Sequence, residues 1–137
     1  MAILLTGGAG FIGSHTYVEL VRAGYDAVIA DDFSNSSPEV LRRLEQITGK
    51  PVSCYTADVR DPKALNKPFD EHPIEAVIHF AGFKAVGESV AKPLEYYRNN
   101  LDSTLTLCET MRRHGVKRFV FSSSATVYGR TQTMPLT

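Results

Sequence analysis

The chain lacks an excess of charge of either sign: 15 Lys and Arg stand against 15 Asp and Glu among 137 residues, for a formal net charge of zero. Nucleic acids and anionic membranes are attracted by a long-range positive field, so neither is an expected partner. Any anion must be held locally, by placed groups. Cysteine is scarce as well. Cys54 and Cys108 show no C-x-x-C spacing, which argues against a metal site, and their apolar surroundings mark them as buried free thiols. Also missing is a signal peptide: Met1-Ala2-Ile3-Leu4-Leu5 reaches Thr6-Gly7-Gly8 at once, with no charged segment before it and no long apolar run after it. The expectation is a soluble, cytoplasmic protein. No repeat, linker or low-complexity stretch divides the chain. With 43% hydrophobic residues, 1–137 suffices for one domain with a core and is too short for two.

What is present is an alternation of short β-rich runs with helix-like stretches, the pattern of a parallel sheet. Ile3–Leu5, Ala27–Ala30, Val52–Tyr55, Ala76–His79 and Phe119–Phe121 read as five strands, apolar enough to be buried on both faces. Phe11–Ala23, Pro38–Ile47 and Pro62–Glu71 read as helices, the last opened by Asp61-Pro62 as cap and first-turn proline. A longer helix starts at Pro93 and ends before Gly115. Along it Leu94, Tyr97, Leu101, Leu105, Cys108 and Met111 recur at three- and four-residue spacing, an apolar stripe expected to lie on the sheet. Gly129–Thr137 is polar and closes no element, so the doubly wound α/β domain is expected to be incomplete.

Between the first strand and first helix lies Thr6-Gly7-Gly8-Ala9-Gly10-Phe11-Ile12-Gly13, with glycines spaced G-x-x-G-x-x-G. Glycines there permit a tight turn, close approach of backbone to a pyrophosphate, and helix packing, while the helix N-terminus offers free N–H groups. The sheet is therefore expected to be Rossmann-like. Asp31 ends the second strand eighteen positions beyond Gly13, where a carboxylate can accept from adenosine ribose hydroxyls. Asp31 and Asp32 together would repel the 2′-phosphate of NADP, and Arg42 and Arg43 stand a helical turn or more away, so NAD is the expected cofactor. Asp58 ends the third strand, where it could hold an adenine amino group or simply cap a turn. The small residues of His79-Phe80-Ala81-Gly82-Phe83-Lys84 follow the fourth strand, placed for backbone contact with a ligand. Lys84 could meet phosphate or ribose oxygens or be an ordinary surface lysine. His15 and His79 have no partner at ligand spacing and read as core or packing residues. The fifth strand runs into Ser122-Ser123-Ser124. A hydroxyl there can exchange hydrogen bonds with a reacting alcohol, and turn capping is the preferred reading for Ser122 and Ser123.

With these residues in place the chain resembles the extended short-chain dehydrogenases/reductases, and within them the UDP-galactose 4-epimerases, over its whole length. The glycine motif and Ala57-Asp58-Val59-Arg60 are general to the superfamily. Lys84-Ala85-Val86-Gly87-Glu88-Ser89 and Ser122-Ser123-Ser124-Ala125-Thr126-Val127-Tyr128-Gly129 look specific to the epimerases, since the related 4,6-dehydratases carry Thr-Asp-Glu where Ser124-Ala125-Thr126 stands. The resemblance implies cofactor contact from Phe11 and Ile12, Asp31, Asp32, Phe33, Ser34, Asn35 and Ser36, Asp58 and Val59, Phe80, Ala81, Gly82, Phe83 and Lys84, and Asn99. It implies substrate contact from Ser124 and Lys84, with Ser124 catalytic at the sugar 4′-hydroxyl. UDP-galactose and UDP-glucose would be the substrates, interconverted through a transient 4-keto sugar with hydride held on NAD. A homodimer is implied for the full-length enzyme.

The family's base is the tyrosine of a Tyr-x-x-x-Lys pair, whose lysine lowers the tyrosine pKa. Four positions before the six lysines stand Gln46, Val59, Lys63, Phe80, Glu88 and Arg113, so these 137 residues contain no such pair. The expectation is a nucleotide-binding part whose tyrosine and uridine-nucleotide domain follow it. Two alternatives remain: another nucleotide-sugar enzyme, against which the Ser124-Ala125-Thr126 set argues for the dehydratases, and an NAD-sensing module without catalysis.

Overall fold

Every second residue of a strand points to the opposite face of its sheet, and in this chain both faces are apolar. Leu4, Val28 and Val77 enter one core cluster, while Leu5, Ala27 and Ile29 enter a second one, with Ile78 packed against it. A sheet covered on both sides follows. The computed structural model describes residues 1–82 and 90–123. In chain order these form β1 (Ala2–Thr6), α1 (Phe11–Arg22), β2 (Asp26–Asp31), α2 (Glu39–Thr48), β3 (Ser53–Thr56), α3 (Pro62–Glu71), β4 (Ile74–His79), α4 (Pro93–Arg113) and β5 (Arg118–Phe121).

All four strand pairs are parallel, in the order β3-β2-β1-β4-β5. The chain moves outward from β1 through β2 to β3, then returns to the other side of β1 for β4. Leu44 of α2 and Tyr17 of α1 cover one face. Leu65 and Phe69 of α3, with Leu107 and Met111 of α4, cover the other. The reversal of direction leaves a crevice between the carboxyl ends of β1 and β4, where open α/β sheets hold ligands.

The expected five strands and four helices are all present, with ends moved by one or two residues. Three expectations are corrected. First, β3 and β5 are not buried on both faces: they are the outer strands of the described sheet, and Val120 and Phe121 are more than half exposed. Second, Cys108 is exposed and Cys54 only partly covered, although both thiols are free. Third, the apolar stripe of α4 does not lie on the sheet. Leu94, Tyr97, Leu101 and Leu105 are 50–74% exposed. Of the expected stripe only Met111 is buried, and it joins Tyr96, Ser103, Leu107 and Thr110 on the buried face.

Hydroxyl chemistry explains that reversal. Ser103 donates to the Asn99 carbonyl and Thr110 to the Thr106 carbonyl at 2.9 Å, both four residues back in the same helix. A hydroxyl satisfied by its own helix can be buried without an unpaired polar atom. Counting apolar residues does not see that such hydroxyls can face the core.

Candidate functional site

The chain leaves β1 through Gly7, whose φ of +69° belongs to the left-handed region. A Cβ there would stand 2.7 Å from the Ala81 nitrogen, so only glycine lets this turn lie against the end of β4. At Gly13 a Cβ would come within 2.4 Å of the Gly7 carbonyl oxygen, which is why the first turn of α1 can rest on the loop. Gly10 caps α1 with no side-chain hydrogen bond.

Asp31, at the end of β2, is 7% exposed and binds in three directions. Its Oδ2 accepts from the Ala9 N–H at 3.0 Å, tying the glycine loop to β2. Its Oδ1 accepts from the Phe33 N–H at 2.8 Å and the Ser36 hydroxyl at 3.2 Å. Phe33 has a φ of 58°, the one positive value outside glycine among the described residues, and the Asp31 bond to its N–H fixes the turn. Asp32 accepts from the N–H and hydroxyl of Ser34 at 3.0 and 2.8 Å. At the end of β3, Asp58 is gripped by Arg60, with Nε to Oδ1 at 3.0 Å and Nη2 to Oδ2 at 2.7 Å. Those hydrogen bonds hold the Asp58 carboxyl below the usual carboxylate range, against the opposing pull of partial burial.

These groups line one cleft of about 620 Å³ including its open mouth. Gly7 and Gly10 form its middle, Asp31, Asp32, Ser34, Asn35 and Ser36 one wall, and Asp58 and Val59 its far end. Phe80, Ala81 and Gly82 from β4, with Asn99 and Ser103 from α4, form the other side. Behind it the His79 ring, 1% exposed, meets the Thr6 hydroxyl at 2.5 Å through Nδ1 and Thr104 at 3.4 Å through Nε2. Among the described residues no cluster of His, Cys, Asp or Glu could hold a metal ion, and no helix is long and apolar enough to cross a membrane.

Residues 3–137 match the model of the NAD dependent epimerase/dehydratase family. The chain belongs to that family. The UDP-glucose 4-epimerase of Bacillus subtilis is 61% identical over 137 residues, all of this chain and 40% of its own length. The mouse UDP-glucose 4-epimerase is 56% identical over 140 residues, 98% of this chain and 40% of its own. The crystal structure of UDP-glucose 4-epimerase from Bifidobacterium longum, in complex with NAD+ and UDP, superposes with a TM-score of 0.97 at 58% identity, over all of this chain and 41% of that one. The chain thus spans about two fifths of the length of these relatives.

As a member of the NAD dependent epimerase/dehydratase family the chain places most of its expected residues in one cleft, with four exceptions. Phe11 and Ile12 are exposed on α1 and Gly13 is buried beneath the loop, while Phe33 shapes the wall through its backbone; none of the four lines the cleft. Phe83, Lys84 and Ser124 lie outside the described residues. His79 is a core residue, whereas His15 is exposed and packs its ring edge on Phe11 at 4.8 Å. Sequence reasoning missed Ala30, Ala57, Ser103 and Arg60. Each had a signal: a small residue directly before each strand-ending aspartate, a hydroxyl one helical turn beyond Asn99, and a cation two positions after Asp58. Arg42 and Arg43 are thus not the only arginines to weigh beside the paired aspartates, because the Arg60 guanidinium feels the charge of Asp32.

Proposed function

We propose that this chain is the NAD-binding part of a UDP-glucose 4-epimerase, a cytoplasmic enzyme interconverting UDP-galactose and UDP-glucose. The observation that carries the reading is the order of groups across the sheet. From β3 to β4 the cleft presents Asp58, then Asp31, then the glycine loop, then Phe80–Gly82, matching adenine, ribose, pyrophosphate and the second nucleoside of a dinucleotide. Asp31 takes the ribose hydroxyls and Asp32 adds a second negative charge that disfavours a 2′-phosphate. Asn99 and the backbone of Phe80, Ala81 and Gly82 hold the nicotinamide half, with Phe83 and Lys84 next to them in sequence. NAD, when bound, supplies reversible oxidation at the sugar C4′. Ser124, following β5, orients the 4′-hydroxyl whose proton is lost, and Lys84 meets substrate oxygens. The base is a tyrosine outside these residues. Two free cysteines agree with a reducing compartment.

The test is interconversion of UDP-galactose and UDP-glucose by the intact protein, with bound nucleotide identified after release. Ser124→Ala should lower kcat on the order of 10²-fold or more while NAD content stays unchanged. Turnover near wild type in that variant, or a preparation that binds no NAD, would overturn the assignment.

The reading includes a homodimer. The exposed stripe of Leu94, Tyr97, Leu101 and Leu105 is a straight apolar row on one helix, and such a row meets its own copy across a two-fold axis. Leu101→Asp with Leu105→Asp should convert the intact protein from dimer to monomer in sedimentation. A monomeric wild type would assign the row to another part of the same polypeptide.

A further inference from the structure

We infer that Arg60 is a positioning residue that sets base specificity: by anchoring Asp58 it makes the far end of the cleft accept a 6-amino purine and reject a 6-oxo purine. This rests on the dinucleotide reading given above and goes beyond it. A carboxylate has about four acceptor positions, and Arg60 aims three N–H groups at them. Its backbone N–H reaches Oδ1 at 2.9 Å, Nε lies 3.0 Å from Oδ1 and 3.1 Å from Oδ2, and Nη2 reaches Oδ2 at 2.7 Å. Because Nε is shared between the two oxygens, three N–H groups serve the carboxylate, and capacity for about one further donor is left. Asp58 lines the cleft and its side chain keeps 37% exposure, so a ligand can supply that donor.

Anchoring is what converts an acceptor into a discriminator. Adenine offers a donor at its 6-amino group. Hypoxanthine carries an acceptor at that point and its donor at the neighbouring ring nitrogen N1. A carboxylate free to rotate could follow the donor from one position to the other and bind both bases. A carboxylate fixed on two oxygens by a planar fork cannot, and it meets the 6-oxo group with like partial charge. Hydrogen bonding from Arg60 also keeps Asp58 ionised, hence acceptor-only.

The experiment is direct calorimetric titration of the intact, nucleotide-free protein with NAD and with nicotinamide hypoxanthine dinucleotide, read as the ratio of the two Kd values. The wild type should prefer NAD by roughly tenfold or more, the effect of one charge-assisted bond. In Arg60→Gln the ratio should fall toward one. Arg60→Lys, which keeps the charge without the fork, should recover little of it. Melting temperatures should barely move, because a half-exposed ion pair adds little stability. A wild-type ratio in Arg60→Gln, with Asp58→Ala losing discrimination, would overturn the role of Arg60 and leave Asp58 reading the base alone. An Asp58→Ala protein that keeps both NAD binding and the preference would overturn the proposal while leaving the cleft as the dinucleotide site. Failure of the wild type to bind either dinucleotide would overturn both.

Discussion

Asp31 is committed to the protein before any ligand arrives, since it holds the glycine loop through Ala9 and the next loop through Phe33 and Ser36. One carboxylate therefore orders both loops and, in the proposed function, also selects the cofactor. Asp31→Ala should lower NAD affinity by about 1.5–3 kcal/mol for the lost charge-assisted bond and shrink the preference for NAD over NADP. Because the same change releases the Ala9 N–H, thermal stability should fall too. Binding of both dinucleotides and the melting temperature check the two effects separately, and an unchanged NAD to NADP ratio would mean that the carboxylate does not face the ribose. Outside the cleft lining, Tyr55 donates to Glu71 and meets His72 at 3.0 Å. Its phenol is pushed up from 10.0 to about 12, first by burial, then by the hydrogen bond and charge of Glu71. A pKa raised on folding means the neutral phenol is favoured by the native state. Its contribution is fully present below about pH 10 and is lost as pH climbs toward 12. Tyr55→Phe should flatten the fall in unfolding free energy as pH rises from about 10 toward 12, measured by urea titration; an equally steep fall in the variant would rule the residue out.

At the scale of the element, α4 has two unlike faces. Leu107 is fully buried on the sheet side, whereas Leu105, two residues earlier, points away and is 63% exposed. Leu107→Ala should cost about 2–5 kcal/mol through lost burial and the cavity left behind. Leu105→Ala should change subunit folding by only about 0.5 kcal/mol or less, while weakening the proposed contact between copies. Urea unfolding of the two variants, at a concentration where both are monomeric, separates them. Equal losses would place both side chains in the same core. The rest of α4 connects packing with the site: Leu107 and Met111 seat the helix in the core, and Asn99 and Ser103 nearer its start line the cleft.

For the molecule as a whole, the two directions of winding from β1 decide where chemistry can occur. They bring the ends of β3, β2, β1 and β4 to one edge, so residues separated by up to 96 positions, from Gly7 to Ser103, line a common cleft. Binding and turnover should nevertheless separate. Residues 1–137 contain no Tyr-x-x-x-Lys, and positioned acid–base groups contribute roughly 10²–10⁴-fold to rate. The isolated chain should show no interconversion of UDP-galactose and UDP-glucose above a no-protein control, even with NAD added. Measurable turnover would mean that another group, Tyr128 foremost, acts as base.

Much of this was legible in the residues themselves. Glycines at 7, 10 and 13, strand-ending Asp31 and Asp58, and five short apolar runs are local signals, and local rules of turn and strand chemistry place the glycine turn and the five strands where the structure has them. The faces of α4 were not legible. Ser103 and Thr110 count as polar in any hydropathy pattern, yet hydrogen bonds to their own helix make them cheap to bury, and only the sheet pressing against them reveals it. Nor could order along the chain show that Arg60 would close on both oxygens of Asp58. The sequence by itself determined which segments become strands and helices and where the glycine turn and the strand-ending carboxylates stand, because those properties depend on near neighbours. Tertiary structure alone decided which face each helix buries and which side chain holds another in place, because both depend on the shape and charge of what packs against them.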